Sequence, residues 1–192
     1  MSPWIIKSSA LLVACLMLMS FYLLTKPKTD YILSEAQLAT RPDSIIEQMH
    51  VTEFSEQGKP MHILITPRLT HYSKIDRSDL QHPKVTILQK DQAPWEIQAL
   101  SGQTDYGIAQ ITLHDDVQLR QAADDQRPAT TITTSRLVYY PAIQVAQTDQ
   151  PIEFRQGGVQ VKSVGMIADL EQDVVELLQD AWGRFDAHSP NS

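Results

Sequence analysis

W-E-I-Q-A at residues 95–99, then Gly102 and D-V-Q-L at 116–119, is answered by I-T-T at 132–134, then Leu137 and P-I-E-F at 151–154. Take Ile97 and Ile132 as starting points. Each has a small residue two places on (Ala99, Thr134) and a turn-forming residue nineteen places on (Asp116, Pro151). Apolar alternation then resumes in both, as Val117 with Leu119 and as Ile152 with Phe154. The same frame started at Leu64 gives Thr66, Leu69, Pro83, Val85 and Ile87, and started at Val161 it gives Ser163, Met166, Asp180 and Trp182. The four starts lie 33, 35 and 29 residues apart, a period that signals a repeated supersecondary unit.

Alternation over four to six positions gives a strand with one wet and one dry face. Clusters of Asp, Pro, Gly, Asn and Gln between such runs supply the turns. No window in this region carries a sustained helical stripe. The repeat therefore predicts an all-β chain grown by successive antiparallel additions.

Working outward, residues 45–54 form a strand, 56–59 a hairpin turn containing Gly58, and 61–72 a strand bent at Pro67. Residues 75–82 read as a polar connection with Leu80 as its one large apolar side chain. A strand at 84–88 follows, and a polar loop at 121–127 separates the two strong copies. Gly157-Gly158 turns the chain into a strand at 159–164. Two short strands, 173–178 and 182–185, close a domain running from 44 to 186, and 187–192 is a loose tail. The adjacent acids Asp115-Asp116 and Asp124-Asp125 read as turn residues.

Residues 4–24 carry a single charge, Lys7, and as a helix would span about 30 Å, the thickness of a bilayer core. Trp4 and Tyr22 sit where interfacial aromatics belong. A cleaved signal peptide is disfavoured because no A-x-A-like site follows the apolar run. L-V-A-C at 12–15 has the residue types of a lipid-attachment box, but the run stays apolar for nine residues beyond Cys15. An uncleaved anchor at 1–25 is expected, then a tether at 26–43 with Pro27 and Pro42. Lys7 on one side and Lys26 with Lys28 on the other leave the orientation undecided by charge.

Formal charge is −7, and the sixteen Lys and Arg residues are scattered singly, which argues against a nucleic-acid partner. The lone cysteine excludes an internal disulfide. The chain has no nucleophile elbow, phosphate loop or H-E-x-x-H, so an enzyme is not expected, nor is a cofactor. His50 and His62 are placed to face each other across a hairpin, too few ligands for a metal.

What remains is an apolar wall repeated from hairpin to hairpin: Leu64, Ile97, Val117, Leu119, Ile132, Ile152 and Phe154. Two sheets closed tightly would make that wall plain core. Sheets open at one edge would make it a groove for acyl chains, with Ala99, Thr134 and Ser163 leaving room beside the large side chains.

An apolar anchor, then Gly58, Leu64, Thr66, Leu69 and Tyr72, then P-x-V at 83–85, W-x-I-x-A at 95–99 and I-T-T at 132–134, together resemble the LptC family. That family is the bitopic inner-membrane component of the lipopolysaccharide transport bridge of Gram-negative bacteria. The resemblance covers nearly the whole chain and implies an open β-jellyroll in the periplasm, one N-terminal transmembrane helix in the inner membrane, and no enzymatic activity. It further implies lipopolysaccharide as cargo, received from the permease subunits of an inner-membrane ABC transporter. The cargo would pass to a soluble periplasmic bridge protein of the same jellyroll type. Met49 and Leu80 match groove-facing positions, and Gly58 a sensitive turn at the domain's N-terminal edge. Phe185, with Trp182 and Arg184, falls on the terminal strand that docks the next bridge protein. Pro151 stands where the family often has glycine. The rival from another class is a structural adaptor that tethers partners to the membrane and never touches lipid.

Overall fold

Each long run of alternation is interrupted near its middle, and those interruptions organise the sheet. The computed structural model describes Met19 and residues 41–90, 92–105, 107–125 and 127–185. The expected anchor and most of the tether lie outside them, as does the tail. Among the described residues no helix is long and apolar enough to cross a membrane. The described residues form eleven strands in one antiparallel sheet: β1 (Ser44–Phe54), β2 (Pro60–Tyr72), β3 (Arg77–Gln81), β4 (Lys84–Ile87), β5 (Trp95–Gln98), β6 (Ser101–Asp105), β7 (Gln110–Gln121), β8 (Thr130–Tyr140), β9 (Val145–Gln156), β10 (Val159–Asp169) and β11 (Val174–Phe185).

The pairing is that of a simple meander once the short strands are joined. β3 and β4 both lie along β2, interrupted at His82-Pro83. β5 pairs β4 and β6 pairs β3, while both meet β7. From β7 to β11 each strand pairs its successor. The interruptions line up across the sheet as a crease. Gln48, His82, Asp115, Asp116 and Asp180 take left-handed backbone there, as does Gly165 at φ +79°. Pro67 sits at the crease of β2, and ladder register shifts at the crease of β8 and β10. A Cβ on Gly165 would lie 3.1 Å from Leu178 Cδ1, so a side chain there meets both strain and a clash.

The crease folds the sheet into two facing arms. The first arm holds the start of β2, β4, β5, the end of β7 and the start of β8. The second holds the end of β2, β3, β6, the start of β7 and the end of β8. His62 on the first arm meets Tyr139 on the second edge-on, ring centroids 6.0 Å apart. A single hydrophobic cluster draws buried residues from both arms, from Leu64 to Leu170. This is the all-β antiparallel chain that the repeat predicts, in the jellyroll that the family resemblance implies. The repeat period is one creased hairpin, and Pro83, Asp116, Pro151 and Asp180 mark the crease on its returning strand.

Several expectations need correcting. Residues 77–81 are a strand rather than a connection: β3 lies between β2 and β6, with Leu80 turned into the core at 2% exposure. Its hydrogen bonds come from both neighbours, so strand formation overrides a polar sequence. Asp115-Asp116 make a bulge within β7, not a turn between strands. The two closing strands are one, β11, bulged at Asp180. His50 opposes Ile65, and His62 opposes Glu53, so the two histidines do not face each other.

The small residues of the repeat have a task other than leaving room. Thr66 Oγ1 donates to Gln81 O at 2.6 Å, Thr134 Oγ1 to Pro151 O at 3.0 Å, and Ser163 Oγ to Gln179 O at 2.9 Å. Each hydroxyl donates to a carbonyl at the crease, where the ladder is irregular. Thr66 is fully buried. Thr66→Val keeps the shape and deletes the donor, so it is expected to cost about 1–2 kcal/mol. Urea unfolding should show a lower midpoint with an unchanged slope. An unmoved midpoint would mean the Gln81 carbonyl finds another donor.

Candidate functional site: the apolar interior and its two edges

Eight of the nominated groove residues lie together in the core. Leu64, Leu80, Ile97, Ala99, Val117, Leu119, Ile132 and Ile152 are each 8% exposed or less. Met49 and Phe154 pack against this cluster while staying partly exposed. Thr134 is half-buried at the crease, bonded to Pro151 O. Apart from Leu80 at its far side, the nominated set is the wall of the first arm. Sequence reasoning nominated none of the opposite wall, Leu69, Ile111, Leu113, Leu137, Tyr139 and Met166, although Leu69, Leu137 and Met166 stand in the repeat frame. Its signal was present, since Ile111 with Leu113 and Leu137 with Tyr139 alternate as well. In β8 the inward parity changes between Ile132 and Leu137, which breaks a single run into two.

One end of the interior is fastened by a polar latch. Trp95 Nε1 donates to Asp173 Oδ1 at 2.8 Å, joining β5 to the turn between β10 and β11. Gln121 Nε2 reaches the same Asp173 oxygen at 3.3 Å and Ala93 O at 3.1 Å. Arg127 pairs with Asp173 Oδ2 and, at 3.1 Å, with Asp124 Oδ2. Gln89 donates to Leu170 O. The hydrogen bond and charge of Asp173, with those of Asp124, push the Arg127 guanidinium pKa above its usual value. A cleft beside the latch is lined by Trp95, Arg127, Phe154 and Val175.

Among the described residues the two edges of the sheet are β1 and β11, each paired on one side only. Both carry large exposed apolar residues. On β1 these are Ile45, Ile46, Val51 and Phe54; on β11 they are Val174, Leu178, Trp182 and Phe185. Trp182 and Phe185 are 62% and 72% exposed, so they do not plug the core. Arg184 opposes Gln160 across the β10–β11 ladder and is exposed. Gly58 sits in the β1–β2 turn at φ +74°, a conformation that favours glycine, with its N–H donating to Ser55 O. Behind the last hairpin, hydrogen bonds from Arg155 and then Gln160 hold the Glu153 carboxyl below the usual carboxylate range. Among the described residues no group of three or more His, Cys, Asp or Glu side chains is arranged to hold a metal ion.

The model for the family described as lipopolysaccharide-assembly, LptC-related, matches residues 10–186. The chain belongs to this family. Its role accordingly lies in lipopolysaccharide assembly. The match takes in the whole creased sheet and runs back into the apolar N-terminal segment. Comparison with curated proteins finds no match. Among solved structures, the chain is similar to LptH from Pseudomonas aeruginosa, described as the LptA homologous periplasmic component of the conserved lipopolysaccharide transport device. That likeness covers 62% of this chain and 82% of the other, at 10% identity and a TM-score of 0.49.

Proposed function

We propose that this LptC-family chain is an inner-membrane-anchored periplasmic carrier of lipopolysaccharide. Residues 1–25 are the anchor, 26–43 the tether, and 44–186 the jellyroll that holds the lipid. The lipid comes from the permease subunits of an inner-membrane ABC transporter and leaves to a soluble jellyroll protein of the same bridge. No bond is made or broken and no cofactor is needed.

The observation that carries this reading is the family match from residue 10 to 186. The fold supports it physically. An acyl chain gains about 0.8 kcal/mol per buried methylene, so a many-chained lipid does not cross water unaided. An apolar interior between two unpaired edge strands can be continued by another module at either edge.

One observation favours the adaptor reading: Ile97, Leu119 and Ile132 are at most 1% exposed, as in ordinary core. Photo-crosslinkers decide between them. Phe154 and Met49, at the rim of the cluster, are the sites to label first, and Ile97, Leu119 and Ile132 follow once the arms part. Lipopolysaccharide is expected on the rim positions in a functional complex. Labelling from none of the five would leave the adaptor.

A further inference from the structure

The outer face of the second arm carries a groove that the apolar interior does not use. It crosses from β7 to β11 and is lined by Gln110, Val138, Tyr140, Gln147, Ile167 and Leu178, with about 420 Å³ of room. Strand parity fixes the side it lies on. Leu137, Tyr139 and Ala146 belong to the core, so Val138, Tyr140 and Gln147, which alternate with them, face outward. Ile167 opposes Gln147 on the next strand, and Leu178 follows Leu177, which packs on the core.

The lining combines two kinds of surface. Val138, Ile167 and Leu178 supply aliphatic contact, and Tyr140 adds a ring. Gln147 Nε2 donates to the Tyr140 hydroxyl at 3.3 Å, and Gln110 Nε2 donates to Thr112 Oγ1 at 3.3 Å. Each amide so placed keeps its oxygen as an acceptor, and the phenol keeps its hydrogen as a donor. Arg136 and Asp149 add one charge of each sign where the groove meets the crease. A hydrogen bond from Gln150, with the Arg136 charge adding to it, holds the Asp149 carboxyl below the usual carboxylate range.

That combination selects among ligands. An anion is opposed by Asp149 and a cation by Arg136, so neither is favoured. A peptide cannot add as a strand, because β8, β9 and β10 are each paired on both sides. A bare hydrocarbon would take water from the amides and return no hydrogen bond. A neutral ligand with an apolar face and hydroxyls around its rim satisfies every group, and a pyranose ring has that make-up. Its C–H face lies on Tyr140 and the aliphatic side chains. Its hydroxyls, which donate and accept, meet the two amides, the phenol and the Arg136–Asp149 pair.

We propose that this outer groove is a saccharide site. The inference goes beyond the carrier reading and does not rest on it, since the groove faces away from the apolar interior. Two sources would supply the same chemistry: the saccharide portion of lipopolysaccharide, and a glycan carried on no lipid. Leu178 places the bound sugar against β11, the strand at the sheet's edge among the described residues.

The test titrates the full chain by calorimetry, in dodecyldimethylamine oxide so that no sugar headgroup competes. One probe is the oligosaccharide released from lipopolysaccharide by mild acid; the other is chitotriose. Wild type is expected to bind at least one of them with a dissociation constant of about 1 mM. Binding of both points to a site for glycans at large; binding of the first alone ties it to lipopolysaccharide. Gln147→Leu keeps the bulk and removes the amide, and Tyr140→Ala removes the ring, so each is expected to weaken binding about tenfold. Gln98→Leu, exposed on the first arm, should bind as wild type does. A thermal melt checks that each variant folds, and Gln147→Leu decides alone if Tyr140→Ala does not. No heat from either saccharide at about 20 mM overturns the inference. So does binding that Gln147→Leu leaves unchanged.

Discussion

Replacing Trp182 and Phe185 together by alanine is expected to weaken binding of the soluble bridge protein about a hundredfold, while the domain's melting temperature moves by no more than about 2 °C. The two halves of that expectation rest on one fact. Both side chains are mostly exposed on β11, whose outer edge has no neighbour among the described residues. Side chains that touch little in the monomer cost little to remove. A bare edge with Val174, Leu178, Trp182 and Phe185 along it would recruit strands without discrimination unless a partner normally covers it. Large aromatics on such an edge make the anchors of a strand-addition interface. Arg184→Pro tests the backbone separately, since it removes a donor from the same strand without touching either ring. Unchanged binding by both variants would reject the edge. A melting temperature collapsing with the double alanine variant would mean the rings support the fold after all.

The other large effect is expected at Asp173. This carboxylate accepts from Trp95 and Gln121 and pairs with Arg127, and Trp95 is 2% exposed. Asp173→Ala strands the indole N–H in the interior and leaves Arg127 with Asp124 alone. The loss is expected at about 2–4 kcal/mol, a fall of roughly 5–15 °C in the melting temperature. Asp173→Asn is the control that apportions it. The amide keeps an oxygen for Trp95 and loses only the charge facing Arg127, which is about a third exposed and screened by solvent. The asparagine variant should therefore melt nearer to wild type than to the alanine variant. If both melt together, the ion pair carries the latch; if neither moves, the latch does not hold the arms.

The hairpins were legible because period and alternation are properties of neighbouring residues. The fold class, the long strands and the first-arm wall followed from Leu64, Ile97, Ile132 and their spaced partners. β3 was not legible, since Arg77, Ser78, Asp79 and Gln81 take strand form only because β2 and β6 flank them. The second wall escaped because a crease changes which parity faces inward. Asp115-Asp116 supplied a turn signal that the fold uses to bend a strand. The latch escaped for a different reason. Trp95, Gln121 and Arg127 are 78, 52 and 46 residues from Asp173, so nothing local marks their meeting. His62 was weighed as half of a metal pair with His50, while its ring partner Tyr139 lies on the opposite arm.

The nearest-neighbour pairing of the sheet sets an order of assembly. Every strand after β1 finds a partner already present on its N-terminal side, and none waits for a strand not yet made. A chain emerging from its N-terminus can therefore zip hairpin by hairpin, with modest loop closures at each step. At each moment the newest strand is the exposed rim. Among the described residues the last such rim is β11. An incoming strand from another chain would pair with β11 as β11 pairs with β10, so docking is growth of the same sheet by other means.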